Sequence, residues 1–347
     1  MNKTNYLSFP GLGIEEFRMD KVAFTIFGRD IMWYGIIITF GILCACAYVH
    51  YRAKKNEHIH TDHVLDYAIF LVVFGIIGAR LYYVFTKFDS FKADNLWDTL
   101  YNIVAIWEGG IAIYGAIIAG GITLAVVSLI KKIKVGKAFD MVAPAVMLGQ
   151  LIGRWGNFCN AEAYGRETTL PWRMGIRAEG SGETIFVHPT FLYESLWNLL
   201  GFILINLFYK RKKFDGQVFF LYITWYGFGR MFIEGLRTDS LYVGDFRISQ
   251  VIGFLCFFFG SAILVAMSIV CHLRKKDEAA LATATADAET EQMLTEEATA
   301  VSTIETAETS EITVETAEET AETEIEPTVP QESFDISAAY SDDEDDE

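Results

Sequence analysis

The sequence predicts an all-α polytopic membrane protein with seven membrane-spanning helices and a disordered acidic C-terminal tail. Three observations lead to this prediction. The 347 residues are 52% hydrophobic, and the apolar residues form long blocks. Lys and Arg cluster in alternate connectors between those blocks. From Asp277 onward the chain carries 24 of its 45 acidic residues and no Lys or Arg, so the part before it is net basic despite the overall charge of −17.

Each apolar block is close to the ~20 residues that cross ~30 Å of hydrocarbon as a helix. Residues 1–30 are mixed and rich in turn residues, and we expect them to lie outside the cytoplasm. Residues 31–272 are expected to form the seven-helix membrane domain. The blocks lie at 31–51, 64–86, 109–130, 138–158, 189–209, 217–235 and 248–272.

Connector charges predict the orientation, because positively charged loops remain in the cytoplasm. The connectors after the second, fourth and sixth blocks are sparser in charge and mixed in sign. This asymmetry places the N-terminus outside and the C-terminus in the cytoplasm. The positive clusters follow the first, third, fifth and seventh blocks: Arg52, Lys54 and Lys55; Lys131, Lys132, Lys134 and Lys137; Lys210, Arg211, Lys212 and Lys213; and Arg274, Lys275 and Lys276.

The tail, residues 273–347, becomes an irregular repetition of Thr, Ala and Glu and ends D-D-E-D-D-E. Its apolar surface is too small to offset the entropy of ordering, so we expect it to be disordered and to hold no site. The five cysteines have spacings that fit neither a disulfide framework nor a zinc site. We expect no metal, no cofactor and no nucleic-acid partner.

With this topology, the polar residues of the membrane segments collect in the outer half of the bilayer. Only Asp66 and Asp140 lie toward the cytoplasm. Polar residues are costly in a membrane, so their gathering on one side across several helices predicts a shared cavity open to the outer leaflet. Its members are Tyr34, Arg80, Glu108, Tyr114, Arg154, Asn157, Asn160, His188, Tyr193, Glu194, Arg230, Glu234 and Arg237.

Taken singly, each of these residues also has a structural interpretation. An ion pair such as Arg230 with Glu234 is about as often structural as functional. His188 before Pro189 is most simply a helix start, and Tyr34 is in place for an interfacial aromatic belt. The clustering, and not any one residue, therefore favours a functional site.

Several arginines in a half-membrane pocket indicate a phosphate site, since guanidinium matches phosphate in a bidentate way. At that depth the available phosphate belongs to a lipid headgroup. Asn157 and Asn160 add neutral donors, while Glu162 or Glu234 is placed to orient an arginine or move a proton. Arg230, Glu234 and Arg237 recur at i, i+4 and i+7, which puts them on one stripe of a helix.

The same segments resemble the bacterial prolipoprotein diacylglyceryl transferase family over about residues 5–272. The most specific stretch is G-R-W-G-N-F-C-N-A-E-A-Y-G-R at 153–166. Further motifs occur in the family's order: W-Y-G at 33–35, W-E-G-G-I-A-I-Y-G at 107–115, H-P-T-F-L-Y-E at 188–194 and R-M-F-I-E-G-L-R-T-D at 230–239.

The resemblance implies an activity in the bacterial inner membrane. Such enzymes transfer the sn-1,2-diacylglyceryl group of phosphatidylglycerol to the lipobox cysteine thiol of a prolipoprotein signal peptide, giving a thioether and glycerol phosphate. It also implies a small extracytoplasmic head at about residues 159–187. We expect catalytic roles for Arg154, Arg237, Tyr114, Glu234 and Arg230, and phosphatidylglycerol binding by Arg154, Asn157, Asn160, Tyr34, Glu162, Gly165 and His188.

One position departs from the family pattern, because many members carry His where this chain has Tyr114. Tyrosine, with a reference pKa near 10, is a poor base. Either Tyr114 only hydrogen-bonds the lipid, or the cationic pocket itself lowers the pKa of the attacking thiol, which is the interpretation we favour.

Two functions from other classes compete with the transferase. A transporter or lipid-translocating protein also carries intramembrane charges, but it predicts polar residues through both leaflets and paired broken helices, neither of which the sequence shows. A phospholipid-binding membrane protein without turnover would share every binding residue, so the sequence leaves that alternative open.

Overall fold

Helices form in every predicted apolar block. A computed structural model describes residues 4–57 and 59–321, and it divides the chain into two units, Met1–Leu273 and Arg274–Glu347. The helices are α1 (Trp33–Arg52), α2 (Thr61–Thr86), α3 (Leu96–Val104), α4 (Ile113–Ile130), α5 (Val135–Asn160), α6 (Thr190–Phe208), α7 (Gln217–Leu236) and α8 (Ile248–Ala321).

Six of these helices are long and apolar enough to cross a membrane: α1, α2, α4, α5, α6 and the first part of α8. Helix α7, the predicted sixth span, has 20 residues, but it is less apolar because it carries Arg230, Glu234 and Gln217. Large apolar side chains such as Phe85, Leu129 and Leu207 are exposed around the bundle, as expected where helices face lipid. The protein is therefore polytopic.

Helix α5 is the centre of the bundle and packs against α1, α4, α6 and α7. Helix α6 also packs against α7. Since α5 carries Arg154, α6 carries Glu194 and α7 carries Arg230, this packing brings three polar helix faces together.

A four-stranded antiparallel sheet corrects the all-α prediction. Its strands are β1 (Thr4–Phe9), β2 (Ile14–Asp20), β5 (Met174–Ala178) and β6 (Ile185–Val187), in the order β2-β1-β5-β6. Apolar side chains from both parts of the chain share its core: Leu7, Phe9, Met174, Ile176, Val187 and Phe191. The N-terminal residues, for which the turn-rich sequence predicted no particular fold, thus pack onto the region predicted as a head.

Two short hairpins complete the described strands. Strands β3 (Val22–Ile26) and β4 (Arg29–Met32) pair immediately before α1, and β7 (Tyr242–Val243) pairs with β8 (Phe246–Arg247) between α7 and α8. The first hairpin exposes Phe24, Ile26 and Phe27.

The tail differs from the predicted disorder, because α8 continues to Ala321. Ala and Glu are among the strongest helix formers. The Thr283 hydroxyl donates a hydrogen bond to the carbonyl of Ala279 one turn earlier in the helix. Every described side chain from residue 274 to residue 304 is exposed. Local propensity, without tertiary burial, therefore supports this helix. Residues 322–347 lie outside the described part of the chain.

Candidate active site

Glu194 is the centre of the candidate site. It lies in the second turn of α6, and its side chain is only 4% exposed. Its Oε2 accepts from Nη2 of Arg154 at 2.5 Å, and its Oε1 accepts from Nη1 of Arg230 at 2.9 Å and Nη1 of Arg237 at 3.3 Å. One buried carboxylate thus joins α5, α6 and α7. With Glu234, these residues form what we call the arginine–glutamate cluster: Arg154, Glu194, Arg230, Glu234 and Arg237.

The end of α7 supplies most of the cluster from one helix face, as its spacing predicts. Nη2 of Arg230 lies 2.5 Å from Oε2 of Glu234. Arg237, just after the helix, binds Asp239 in a bidentate way at 2.9 and 2.8 Å. Burial alone would raise the pKa of Asp239, but the hydrogen bonds and the positive charge of Arg237, with smaller contributions from a backbone hydrogen bond and Arg230, together hold that pKa below its usual value.

The cluster has a surplus of positive charge. It contains three guanidinium groups and two buried carboxylates, while Asp239 outside it is 49% exposed and partly screened by solvent. Arg154 has the weakest set of partners, since among the described residues it makes, beyond Glu194, only a 3.4 Å hydrogen bond to Oδ1 of Asn157. Its side chain is 18% exposed. Arg154 is therefore the cluster member best placed to take an anionic ligand.

A polar turn follows α5 beside Arg154. The Glu162 carboxylate accepts from the amides of Asn157 at 3.0 Å and Asn160 at 3.2 Å. Ala161 and Ala163, on either side of Glu162, both have positive φ, which is uncommon for alanine. The predicted binding residues Asn157, Asn160 and Glu162 thus form one network that continues from the cluster.

Tyr34 reaches the same place from the start of α1. Its ring packs against Gly156, where a Cβ would lie 2.9 Å from the ring. The absence of a side chain at Gly156 therefore lets α1 and α5 approach closely, one turn from Asn160. Tyr34 is partly exposed and has room for a further contact.

Gly165 and His188 tie the end of the sheet to the end of α7. The Gly165 N–H donates to the His188 carbonyl at 2.9 Å, and the Arg166 N–H donates to the Leu236 carbonyl at 2.8 Å. A Cβ at Gly165 would lie 2.7 Å from that of His188, so the close approach requires glycine. This segment fixes Arg237 against the sheet through the isolated bridge between Gly165 and Arg237.

The His188 ring is the end of a short chain of hydrogen bonds between aromatic side chains. Trp172 donates to the Tyr193 hydroxyl at 2.7 Å, and that hydroxyl lies 3.2 Å from Nδ1 of His188. Burial, and then the charge of Arg166, lower the pKa of His188 below its ordinary value. The folded protein therefore favours the neutral form of the His188 ring.

Tyr114 lies in the first turn of α4, and its hydroxyl bonds to Ser249 Oγ at 2.9 Å. In the described structure no hydrogen bond joins Tyr114 to the arginine–glutamate cluster. Arg80, predicted as a member of the shared polar cavity, donates instead to five backbone carbonyls of the segment before α4: Asn102, Ile103, Ala105, Gly109 and Gly110. Arg80 therefore anchors the segment that leads to Tyr114.

Helices α6 and α7 are locked by a reciprocal pair of tryptophans. The rings of Trp197 and Trp225 stack with centroids 4.2 Å apart, and each indole N–H donates to the other's carbonyl at 3.0 Å. Trp197 lies over Gly229, and Trp225 over Gly201. Because Gly229 precedes Arg230 and Trp197 follows Glu194 by three residues, this contact fixes the spacing between Glu194 and Arg230.

Sequence reasoning placed Glu194 in the predicted cavity without a catalytic or binding role, and it left Asp239 and Arg247 out of the predicted site set. Glu194 stands in the quoted H-P-T-F-L-Y-E motif, and Asp239 ends the R-M-F-I-E-G-L-R-T-D motif, so the motifs held a signal for both. Arg247 had no such signal, yet it donates to the Glu234 carbonyl and to the Tyr242 hydroxyl. Within the described residues, no group of three or more His, Cys, Asp or Glu side chains is placed to hold a metal ion.

Comparison with known proteins decides the family. The sequence model described as prolipoprotein diacylglyceryl transferase matches residues 21–266. The chain belongs to the prolipoprotein diacylglyceryl transferase family. The matched range contains the whole arginine–glutamate cluster and ends before the acidic tail.

Relatives named phosphatidylglycerol–prolipoprotein diacylglyceryl transferase match across nearly their whole length. The chain is 47% identical to that of Finegoldia magna over 67% of this chain and 90% of the relative. It is 41% identical to that of Listeria innocua, over 74% and 91%, and 46% identical to that of Clostridioides difficile, over 68% and 91%. Family membership and six apolar helices make this a multi-pass protein of the bacterial inner membrane.

Proposed function

We propose that this transferase-family chain moves the sn-1,2-diacylglyceryl group of phosphatidylglycerol to the lipobox cysteine thiol of prolipoproteins, the first step of lipoprotein maturation. A carbon–sulfur bond forms at the sn-3 carbon of the lipid, the carbon–oxygen bond to the phosphate breaks, and glycerol phosphate leaves with the electron pair. The thiol proton is released. The observation that carries the proposal is the sharing of buried Glu194 by three arginines within the family's matched range.

Arg154 binds the phosphate in this scheme. It has a single carboxylate partner among the described residues, and its second nitrogen has only the long contact to Asn157. Asn157 and Asn160, held by Glu162, present amide groups beside it. A lipid phosphate therefore gains a bidentate guanidinium and neutral donors at one place.

Arg237 stabilises the leaving phosphate. Arg230 and Glu234 hold the polar stripe of α7, of which Arg237 is the last member, in position. Negative charge grows on the departing oxygen, so cations already held in place lower the barrier most. Arg237 is fixed by Asp239 and Glu194, and Arg230 by Glu194 and Glu234. Little rearrangement is needed when charge develops.

The surplus positive charge, and not Tyr114, activates the thiol. A free cysteine with pKa near 8.5 is only partly ionised at neutral pH, and nearby cations lower that pKa. The Tyr114 hydroxyl is engaged with Ser249. Tyr114 therefore supports the pocket and accepts no proton from the substrate.

Seven spans and a non-cytoplasmic head complete the proposal. Helix α7 would be the seventh span, its polar face covered by α5 and α6, which pack against it. The four-stranded sheet, fixed at the Arg237 end of α7, would then form the head outside the cytoplasm, with the C-terminus inside. Signal peptides of prolipoproteins present their lipobox cysteine at that outer surface.

The decisive experiment incubates the purified protein with phosphatidylglycerol and a lipobox peptide. The expected result is a peptide mass increase equal to one diacylglyceryl group, stable to thioester cleavage, with stoichiometric glycerol phosphate. A peptide with Ser in place of its Cys is the matched control and should gain no mass. Lipid binding without a mass increase would instead support a binding protein, and lipid movement between leaflets without product would support a translocating protein.

A further inference from the structure

The polar face of helix α7 continues beyond Arg230, in the direction away from the sheet, with two tyrosines. Tyr226 and Tyr222 precede Arg230 by four and eight residues, which places them below it on the same face. Their rings lie with centroids 5.9 Å apart. Tyr226 is the tenth of the 20 residues in α7, so its hydroxyl group lies about halfway along the helix.

The Tyr226 hydroxyl has no hydrogen-bond partner among the residues that the structure describes. The two fully buried tyrosines of the described structure do have one: Tyr67 bonds to Ser128 at 2.8 Å, and Tyr209 donates to Glu57 at 2.9 Å. A partly buried hydroxyl without an acceptor costs free energy, so a hydroxyl of this kind marks a place for a ligand acceptor.

Helix α5 also carries a polar side chain with an unpartnered atom one turn before its arginine. Gln150 lies one turn before Arg154, and its amide nitrogen is 3.0 Å from the Tyr222 hydroxyl. Its Oε1 is buried without a partner. If the amide turns over, its oxygen accepts from the Tyr222 hydroxyl and its nitrogen becomes free to donate. Either way, one amide atom is left unsatisfied within the protein.

We propose that Tyr226 and Gln150 donate to the two ester carbonyls of the diacylglyceryl group, an inference that rests on the proposed function. With the lipid phosphate at Arg154 and the arginines of α7, the glycerol esters lie a few bonds deeper, toward the acyl chains. A helix turn rises about 5.4 Å, so a donor one turn below each arginine is at the depth of these carbonyls. Ester carbonyls only accept, which matches the Tyr226 hydroxyl and, once the Gln150 amide is turned over, the freed Gln150 nitrogen.

The consequence is selectivity for ester lipids over ether lipids. An ether analogue keeps the phosphate and the alkyl chains but lacks the carbonyl oxygens, so it would leave both donors unsatisfied. One neutral hydrogen bond is worth about 0.5–1.5 kcal/mol net, which corresponds to roughly a 2- to 12-fold change in affinity.

The test compares dioleoyl phosphatidylglycerol with its dioleyl ether analogue on wild type and on Tyr226→Phe. Lipid affinity is measured in detergent micelles by titration, and thioether product by peptide mass. We expect wild type to prefer the diester about tenfold in affinity and in KM. In Tyr226→Phe this preference should fall about threefold or more, with affinity for the diether unchanged.

Tyr101→Phe is the matched control, since Tyr101 is exposed on α3 and its hydroxyl forms no hydrogen bond within the described structure. It should keep the wild-type preference, and its melting temperature should match that of Tyr226→Phe. Equal loss for both lipids, or an unchanged preference in Tyr226→Phe, would overturn the subsite. A wild type that binds phosphatidylglycerol but forms no thioether would defeat the proposed function, while the affinity ratio still decides the subsite.

Discussion

Replacing Glu194 by Gln is the most direct test of the arginine–glutamate cluster. The three arginines that share Glu194 do not depend on it equally. Arg237 keeps Asp239 and Arg230 keeps Glu234, but Arg154 keeps only a 3.4 Å hydrogen bond to Asn157. The substitution therefore leaves one guanidinium without a carboxylate among the described residues.

The size of the effect follows from that single unpaired charge. Breaking a buried ion pair costs about 3–5 kcal/mol, and because Arg154 is 18% exposed we expect about 3 kcal/mol, the lower end of that range. At about 2–4 °C per kcal/mol for a domain of this size, the melting temperature should fall by about 6–12 °C. The value of kcat/KM should fall at least about 100-fold.

Glu162→Gln is the matched control, because within the described part of the chain the Glu162 carboxylate accepts only from the neutral amides of Asn157 and Asn160. Its melting temperature should fall by no more than about 4 °C, since neutral hydrogen bonds contribute about 1 kcal/mol. Thermal unfolding in micelles, with and without phosphatidylglycerol, gives both values. The lipid should raise the melting temperature of Glu194→Gln more than that of wild type, because its phosphate replaces the lost carboxylate. A Glu194→Gln variant that melts within about 2 °C of wild type would refute the reasoning.

Three further outcomes are expected. Tyr114→Phe should keep measurable transferase activity while Arg154→Ala abolishes it; an inactive Tyr114→Phe that is folded and lipid-loaded would identify Tyr114 as essential. Gly229→Ala should lower stability by about 1–3 kcal/mol because its Cβ would collide with the facing indole, whereas Gly121→Ala, in open space, should be neutral or slightly stabilising in a melting assay. Since the pKa of His188 is lowered in the folded protein, its stability contribution is present above about pH 6.5 and lost as pH falls through the folded pKa; His188→Gln should flatten that part of the melting profile from pH 7.5 to 5.

The local pattern predicted the membrane helices well because the length and apolar composition of each block are enough to indicate a helix that crosses the bilayer. The predicted blocks 64–86 and 217–235 lie within two or three residues of α2 and α7. The sheet was missed because β1 pairs with β5 across about 170 residues of chain, and no local pattern reports such a pairing. The tail helix was missed because composition argues against a packed core but not against an isolated helix.

The candidate site shows the same division between local and distant information. The α7 stripe of Arg230, Glu234 and Arg237 follows from helical spacing alone, and the structure brings these residues together. The role of Glu194 as the carboxylate shared by three arginines does not follow from spacing, because it depends on how α5, α6 and α7 pack. Tyr114 was grouped with the site by depth in the membrane, yet its hydroxyl bonds to Ser249 on α8.

The charge balance of the cluster gives a reason why it would favour the reaction and not only the binding of lipid. Three guanidinium groups face two buried carboxylates, and the third carboxylate that pairs with them, Asp239, is 49% exposed and partly screened by solvent, so a phosphodiester headgroup of charge −1 meets positive charge that is only partly balanced. When the carbon–oxygen bond breaks, the phosphate becomes a monoester of charge about −1.5 to −2. The added negative charge appears where Arg154 and Arg237 are already held, so the site binds the separating phosphate more strongly than the intact lipid. Interactions that strengthen only as the bond breaks are those that raise the rate.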